Sequence, residues 1–273
     1  MRNWVQHADL ATLAQAVTCV FLSLTVAGTL AGYLLEFVFS RRRIWALPLD
    51  PGQLRGEFLG NLVFVAVTIT TFTAVLAANV VRYRDDTGLS VVGTFVAIFV
   101  AFQIYYYGLH RALHHRSLVR FHRWHHRSRV TTPLSGQSMG LVEALGWMGG
   151  YVAVPAALSY ISPISFDGWA LYIAYNVLGN ISGHANVEPI PKIPGLRYTS
   201  LISNVFTYHA LHHARWTGNY GFATTLMDRI FHTEWPDWSE LHAHTAHGDA
   251  LTNLRAKGQS FAAVDAGAVE PKL

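Results

Sequence analysis

The sequence predicts an all-α integral membrane protein with about four to five membrane-embedded helices and a histidine-rich helical cap. Two observations predict the membrane part. Apolar residues make up 51% of the 273 residues and charged residues only 13%. In addition, several apolar runs reach the ~20 residues that a helix needs to cross a bilayer. The cap is predicted by the spacing of the 15 histidines.

Five apolar segments are predicted to be embedded in the membrane: about Leu10–Phe39, Phe58–Val81, Leu89–Leu109, Leu141–Ile161 and Ile164–Ile181. The first is too long for the apolar core of a secretory signal and is therefore predicted to be an anchor. The last two are separated only by Ser162 and Pro163, so they form a tight hairpin. Because Pro155 should kink its first arm, this hairpin either spans the bilayer or is re-entrant.

The placement of arginine predicts the orientation of the chain. Arg41–Arg43 and Arg55 lie between the first and second apolar segments, and six more arginines follow the third segment. Because positively charged loops stay on the cytoplasmic side, the N-terminus is predicted to lie outside. The protein is then multi-pass, with every histidine cluster and the C-terminus on the cytoplasmic side.

The first histidine cluster lies in residues His110–Arg129, directly after the third apolar segment. This stretch contains neither Gly nor Pro. At about 100° per residue its six histidines fall on one half of a single helix, opposite four arginines. Histidines three and four residues apart bring their rings to a common point, and neutral imidazole is the commonest metal ligand. The six are His110, His114, His115, His122, His125 and His126.

The same spacing recurs later in the chain. His209, His212 and His213 repeat the H-x2-H-H pattern, and His184 lies between the two clusters. A basic helix lying on anionic lipid would be the alternative, but it does not require histidines to be gathered. The recurrence therefore favours a metal site. Four later histidines lack the spacing and are expected at the surface: His232, His242, His244 and His247.

The number of histidines predicts two adjacent metal ions, because a single tetrahedral ion needs only three or four ligands. Non-haem iron that activates O2 fits a nitrogen-rich site with open positions. A zinc hydrolase is less favoured, since the chain has no H-E-x-x-H motif. A haem protein would place its histidines inside the apolar segments rather than beyond them. The single cysteine, Cys19, excludes a cysteine-rich site within the chain.

These motifs resemble the fatty acid hydroxylase/sterol desaturase superfamily over about residues 90–235. The resemblance rests on H-x3-H, two H-x2-H-H motifs, N-x2-G-H ending at His184, and N-Y-G at Asn219–Gly221 followed by D-R-I-F-x-T. The chain departs from many members at Met227, where they have Trp, and at His232, where they have Gly. Neither departure removes a candidate ligand.

The resemblance implies a membrane enzyme that uses two non-haem irons, O2 and electrons to hydroxylate or desaturate a fatty acyl, sterol or related lipid. Hydroxylation is the favoured reaction. Desaturation is the alternative, and a non-catalytic membrane protein that binds or transports metal is less favoured. No catalytic residue separate from the ligands and no organic cofactor site is expected. Nine histidines are implied as iron ligands, with His115 less secure than the rest: His110, His114, His122, His125, His126, His184, His209, His212 and His213.

Polar groups near the ligands should hydrogen-bond the free ring nitrogens. The candidates are Asn180, Asn204, Asp228 and Glu188. The chain has no Gly-rich dinucleotide fingerprint, so electrons are expected from an external donor: a ferredoxin, a cytochrome b5 type protein or a reductase. The exposed arginines could dock this donor or lipid head groups. The other expected partner is the membrane lipid substrate. Nucleic acid is not expected as a partner, and the sequence leaves the oligomeric state open.

Three regions are predicted along the chain. Residues 1–88 carry the N-terminal membrane helices, and residues 89–248 form the hydroxylase-like di-iron region. Residues 249–273 are rich in Ala, Gly and small polar residues and are predicted to form a disordered tail.

Overall fold

The structure, a computed structural model, describes residues 2–258 and is helical apart from one short pair of strands. The helices are α1 Arg2–His7, α2 Leu10–Val38, α3 Gln53–Ala77, α4 Gly88–Leu113, α5 Val119–His122, α6 Leu141–Ile161, α7 Phe166–Gly183, α8 Leu196–Thr199, α9 Phe206–Arg215, α10 Leu226–Ile230 and α11 Trp238–His247. Single 3₁₀ turns occupy Ser40–Arg42, His125–Arg127 and Pro133–Gln137, and the strands are β1 Tyr83–Arg84 and β2 Ile164–Ser165.

Five long helices form the membrane bundle. Four of them, α2, α3, α4 and α6, are long and apolar enough to cross a membrane. The fifth, α7, has 18 residues and packs against α2 and α4. Apolar side chains cover the outside of the bundle: Phe37 is 80% exposed and Leu89 is 86% exposed. A helix satisfies its own backbone hydrogen bonds, so such a surface suits lipid. The predicted all-α integral membrane fold is confirmed.

The α6–α7 hairpin extends along the length of the bundle. β2, in the turn of the hairpin, pairs in parallel with β1, which lies in the link between α3 and α4. The turn therefore lies at the end of the bundle where α3 gives way to α4, far from the histidines. At 1.5 Å per residue, the 21 residues of α6 measure about 31 Å, which matches a bilayer core. Pro155 is accommodated inside α6.

A cap covers the other end of the bundle. Its core consists of buried apolar side chains from α9, α11 and the segment before α3, among them Trp45, Tyr208, Leu211 and Trp238. Residues 249–258, the first part of the predicted tail, are ordered in this cap. The amide of Leu251 donates to the carbonyl of Ile44 at 2.8 Å, and its carbonyl accepts from the amide of Ala46 at 2.9 Å. The rest of the predicted tail, 259–273, lies outside the described residues.

The prediction of one continuous helix over residues 110–129 is wrong. Helix α4 ends at Leu113, and the chain then reverses through α5 and the 3₁₀ turn at His125–Arg127. In a continuous helix His110 and His126 would be about 24 Å apart along the axis. The reversal brings ring nitrogens of these two histidines within 4.8 Å of each other. All six arginines of this segment are exposed.

Candidate metal centre

The structure gathers nine of the ten candidate ligands into two groups. The first group contains His110, His114, His122, His126 and His212, and the second contains His125, His184, His209 and His213. Within each group, one ring nitrogen from every residue lies within 4.8 Å of the others. Eight of the nine side chains are buried, and His114 is half-buried. The tenth candidate, His115, is exposed on the chain reversal and belongs to neither group.

Two segments contribute to both groups and so hold them side by side. On α9, His209 and His213 lie one turn apart on one face and join the second group, while His212 on the neighbouring face joins the first. Around the 3₁₀ turn, His125 likewise points to the second group and His126 to the first. The rings of His126 and His213, from different groups, are 4.7 Å apart between centroids. The arrangement is that of two adjacent sites.

Six of the nine rings are oriented by a hydrogen bond from Nδ1 to an acceptor outside the groups. In the first group the acceptors are the Tyr220 carbonyl for His110 (2.7 Å), Glu143 Oε1 for His122 (2.6 Å) and the Gly218 carbonyl for His212 (2.8 Å). In the second they are the Ser138 carbonyl for His125 (3.3 Å), the Asn180 carbonyl for His184 (2.6 Å) and the Ser128 carbonyl for His213 (3.0 Å). A carbonyl can only accept, so Nδ1 carries the proton and Nε2 presents a lone pair.

The inward nitrogens fit a metal ion. His184 and His213 both donate through Nδ1 to carbonyls, and their unprotonated Nε2 atoms are 3.2 Å apart. Two lone pairs at this distance repel each other unless a cation lies between them. In the first group, the buried Nε2 of His114 has no hydrogen-bond partner among the described residues. A set of neutral imidazoles with few oxygen atoms suits a first-row transition metal such as iron.

Burial keeps these imidazoles neutral. It lowers the pKa of His125 to about 4 and the pKa of His114 and His184 to about 3. Burial also lowers the pKa of five further histidines of the two groups well below the ordinary value: His122, His126, His209, His212 and His213. Nitrogen binds a metal only in its unprotonated form, so all of these rings are available at neutral pH.

The polar candidates act through the backbone rather than by direct side-chain contact with a ring nitrogen. Asn180 contacts His184 through its carbonyl. The side chain of Asp228 accepts from the amides of Tyr220 and Gly221 at 2.8 and 2.6 Å, which fixes the turn that holds His110. Asn204 donates to the Phe222 carbonyl at 3.1 Å, and Glu188 accepts from the Thr207 amide at 2.8 Å, at the start of α9. The expected hydrogen bond to a ring nitrogen is therefore made by Asn180, through its backbone, and is not made by Asn204, Asp228 or Glu188 in the two groups.

Sequence reasoning missed Glu143, the one carboxylate among residues 2–258 that bonds a ring of the two groups directly. It is buried on α6, and its Oε1 also accepts from Trp147 Nε1 at 3.3 Å. The available signal was a single acidic residue inside the apolar segment 141–161, since ionisable groups in such segments usually serve a site. The surface prediction is wrong for His242, which is fully buried and donates to the Ile190 carbonyl at 3.1 Å. His232, His244 and His247 are exposed, as predicted.

Aromatic rings close the bundle side of the two groups. Phe222 packs against His209 and His184 at centroid distances of 4.8 and 5.7 Å, and Tyr106 packs against His110 at 5.4 Å. A cavity of about 180 Å³ reaches His209 from this side; its lining includes Tyr175, Gly179, Gly183, Phe206 and Phe222.

A second cavity, of about 540 Å³, reaches His126 from the cap side, and its lining includes Arg123, Trp124, Arg127 and Trp216. The ring of Trp216 lies 4.7 Å from that of His126 between centroids. Trp216 ends α9 with φ +68°, a left-handed conformation that is costly for a non-glycine residue. The two groups are thus approached from opposite directions by an aromatic-walled cavity and a basic cavity.

Comparison with known proteins identifies similar chains. The sequence model of a family described as fatty acid hydroxylase matches residues 95–233. The very-long-chain aldehyde decarbonylase GL1-6 of Oryza sativa subsp. japonica is 31% identical over 226 residues, which cover 77% of this chain and 34% of that protein. The very-long-chain aldehyde decarbonylase CER1 of Arabidopsis thaliana is 34% identical over 160 residues, covering 55% of this chain and 24% of that protein. The chain therefore matches at most about a third of the length of these relatives. No solved structure matches it.

Proposed function

The chain belongs to the fatty acid hydroxylase family of lipid-modifying enzymes, and from this premise we propose that it is a membrane-bound, O2-dependent di-iron oxygenase. In the proposed reaction an unactivated C–H bond of a fatty acyl, sterol or related lipid is hydroxylated. The observation that carries the proposal is the pair of buried histidine groups with Nε2 lone pairs turned inward. Residues 89–248 would form the catalytic region, supported by the helices of residues 1–88.

In this proposal one iron is held by the five histidines of the first group and the other by the four of the second. The two irons would supply the activation of O2 and the oxidation of the C–H bond. The protein holds six of the nine rings in the Nδ1-protonated form through five backbone carbonyls and Glu143, so that their Nε2 atoms stay free to bind. Tyr106 and Phe222 keep water away from the bundle side.

The proposed substrate approaches from the bilayer. The cavity beside His209 is bordered by Gly179 and Gly183 of α7, and a Cβ added at Gly179 would meet no atom within 4 Å. The open space beside Gly179 leaves room for a hydrocarbon chain, whereas the space beside Gly183 is filled by the ring of Phe222. Phe206 and Phe222 provide an apolar wall beside it. A lipid tail entering here would reach the second group without crossing water.

The proposed electron donor binds on the cap side. Arg120, Arg123 and Arg127 are exposed there, and Trp216 lies between the basic cavity and the ring of His126. A negatively charged protein of the ferredoxin, cytochrome b5 or reductase type fits this surface. Replacing Arg123 and Arg127 with Glu should then slow electron delivery, most strongly at low salt.

Metal content of the detergent-purified protein tests the proposal first. The wild type should contain about two irons per chain, because two groups each provide enough ligands for one ion. His125→Ala and His212→Ala, one from each group, should each lose iron, whereas His244→Ala, an exposed histidine, should retain it. Lipids of expressing cells should gain an oxygen atom only when the histidines are intact. A wild type that holds zinc or no metal would exclude the di-iron proposal.

A second candidate is a reaction on a long-chain aldehyde. It is favoured by the similarity to proteins named very-long-chain aldehyde decarbonylases, one of which is matched over 77% of this chain. Purified protein given a long-chain aldehyde would then yield a hydrocarbon one carbon shorter, with the aldehyde carbon released as carbon monoxide, or as formate if O2 and electrons are consumed. Formation of a double bond without oxygen incorporation would instead identify a desaturase. Bound metal without turnover of any of these substrates would leave a metal-binding or transport role.

A further inference from the structure

Glu57 is a buried carboxylate on α3, outside the part of the chain that matches the family. It is 2% exposed and accepts hydrogen bonds from four side chains. The donors are Gln53 Nε2 (2.7 Å), Ser128 Oγ (2.7 Å), Thr132 Oγ1 (2.6 Å) and Ser135 Oγ (3.3 Å). Three of the four belong to residues 128–138, which are here named the anchor loop. Hydrogen bonds to a carboxylate are shorter and stronger than those between neutral groups, so Glu57 fixes this loop on α3.

The anchor loop in turn orients three of the four histidines in the second group. Its Ser128 and Ser138 carbonyls accept from Nδ1 of His213 and His125 at 3.0 and 3.3 Å. The third connection passes through Asn180, whose side chain donates to the Gly136 carbonyl of the loop at 2.6 Å. The carbonyl of the same Asn180 accepts from His184 at 2.6 Å.

The first group relies on different supports. His122 bonds to Glu143 on α6, and His110 and His212 bond to carbonyls of residues 218–220. Asp228 holds this second segment through the Tyr220 amide. None of these three rings bonds to the anchor loop in the described part of the chain.

We propose that Glu57 is a positioning residue for the second histidine group alone. By holding the anchor loop, it keeps the loop carbonyls aimed at the Nδ1 atoms and thereby keeps the Nε2 atoms converged on one ion. This inference rests on the proposed pair of metal ions but not on the reaction they perform. Loss of Glu57 should weaken the binding of one of the two ions. If Glu57 had only a general structural role, its loss would weaken the binding of both.

The test is a titration of the full-length, metal-depleted protein with Fe²⁺ under anaerobic conditions, with metal content measured after desalting. In Glu57→Leu, which removes both acceptor oxygens at similar volume, one ion should bind as in the wild type. The other should bind about 10–100-fold more weakly, the range typical for loss of a partner that orients a ligand. Glu57→Gln, which retains one carbonyl oxygen, should fall between Glu57→Leu and the wild type.

A matched control is Asp86→Leu. Asp86 also accepts from a serine hydroxyl, that of Ser165, but at the end of the bundle far from the histidines. Both ions should bind unchanged in this variant. If Glu57→Leu does not fold, the double variant Ser128→Ala, Thr132→Val removes two of the hydrogen-bond donors instead of the acceptor. This variant should lower the affinity for the same ion, but by less.

Double variants identify which ion is affected. Combined with His122→Ala, which impairs the first group, Glu57→Leu should leave no tightly bound ion. Combined with His209→Ala, which impairs the second, it should leave one. Two unchanged ions in Glu57→Leu, or equal weakening of both, would overturn the inference. A wild type that binds two ions but oxidises no lipid would refute the proposed reaction and leave the role of Glu57 intact. A wild type without metal would refute both.

Discussion

At the scale of single residues, each buried imidazole of the two groups has two nitrogens to satisfy. One nitrogen turns inward, and the other needs an acceptor, because an unpaired buried N–H costs about 1–3 kcal/mol. Backbone carbonyls supply five of these acceptors, and Glu143 supplies the only side-chain carboxyl that touches a ring of the two groups in the described chain. A carboxylate makes the attached imidazole a more basic ligand than a carbonyl does.

We therefore expect Glu143→Leu to lower the affinity of the first group for its ion by about 10–100-fold. The substitution leaves Nδ1 of His122 without its acceptor at 2.6 Å. Glu143→Gln should have a smaller effect because the amide oxygen can still accept. Iron content and the dissociation constant for Fe²⁺ measure the change. Equal affinities for Glu143→Leu and the wild type would show that the carboxylate does not support the ligand.

At the scale of elements, close contact between the anchor loop and α7 depends on a glycine. A Cβ at Gly136 would lie 2.7 Å from the Asn180 carbonyl and 3.0 Å from Ile181 Cα, and both of these are backbone atoms that cannot move independently of the helix. The crowded carbonyl is the one that accepts from His184. Packing between these two elements thus determines the direction of a candidate ligand.

Gly136→Ala is expected to lower the free energy of unfolding by about 1–3 kcal/mol, the usual cost of overpacking. It should also weaken the binding of the ion in the second group. The matched control is Gly179→Ala, within α7 itself but at a position where a Cβ would meet nothing within 4 Å. Unfolding midpoints in detergent and iron content measure both effects. A Gly136→Ala protein as stable as Gly179→Ala would mean that the loop can move away from α7 without loss.

The packing of α11 against the segment between α7 and α8 predicts a pH dependence, since His242 lies on α11 and Glu188 in that segment. Burial raises the pKa of Glu188 from 4.5 to about 7 and lowers the pKa of His242 from 6.5 to about 4. The side chains are 3.9 Å apart. Below pH 6.5 His242 is protonated in the unfolded chain, but burial keeps it neutral in the folded protein. Acid therefore destabilises the fold through His242. Between pH 4.5 and 7 folded Glu188 holds a proton that the unfolded chain releases, so rising pH destabilises the fold through Glu188.

His242→Asn removes the first of these opposing effects. The stability of the variant relative to the wild type should therefore improve as the pH falls from 7.5 to 5. Glu188→Gln should show the opposite trend, because it removes the penalty that appears at higher pH. Unfolding midpoints of metal-loaded wild type and variants, compared at each pH, provide the measurement. Parallel curves for all three proteins would refute the assignment.

At the scale of the whole molecule, the fold separates two ends. The pairing of β1 with β2 marks one end, and both histidine groups mark the other. Arg41–Arg43, Arg55 and the arginines of residues 110–129 lie at the histidine end, whereas Arg82 and Arg84 lie at the other end. The positive-inside rule therefore predicts that the histidine end faces the cytoplasm. The side of the membrane remains a prediction of this charge distribution.

Cysteine labelling tests the orientation. In a Cys19→Ala background, Ser117→Cys reports the histidine end and Ser162→Cys reports the opposite end, since both serines are exposed. A membrane-impermeant maleimide should label Ser162→Cys in intact cells, and Ser117→Cys only in inverted membrane vesicles. The reverse pattern would place the histidines outside and would separate them from a cytoplasmic electron donor.

The sequence by itself determined the helical membrane fold and which histidines to expect close together, because both depend on local patterns. Apolar runs of sufficient length must become helices in lipid, and the repeated H-x2-H-H spacing marks residues that share a helix face. The structure gathers the nine histidines that the resemblance to the fatty acid hydroxylase/sterol desaturase superfamily implied as ligands. His115 shares their spacing but not their environment, because the helix ends just before it.

Only the tertiary structure decided how the histidines divide between two groups and what holds them in place. The division depends on the chain reversal after Leu113, which no pattern of 3.6 residues encodes. The partners Glu57 and Glu143 come from α3 and α6, and Glu57 lies 71 residues before Ser128, whose hydroxyl it accepts from. The packing of the helices decides which buried donors form hydrogen bonds to such a carboxylate. Packing brings together atoms that are distant in sequence, and the burial of His242 has the same origin.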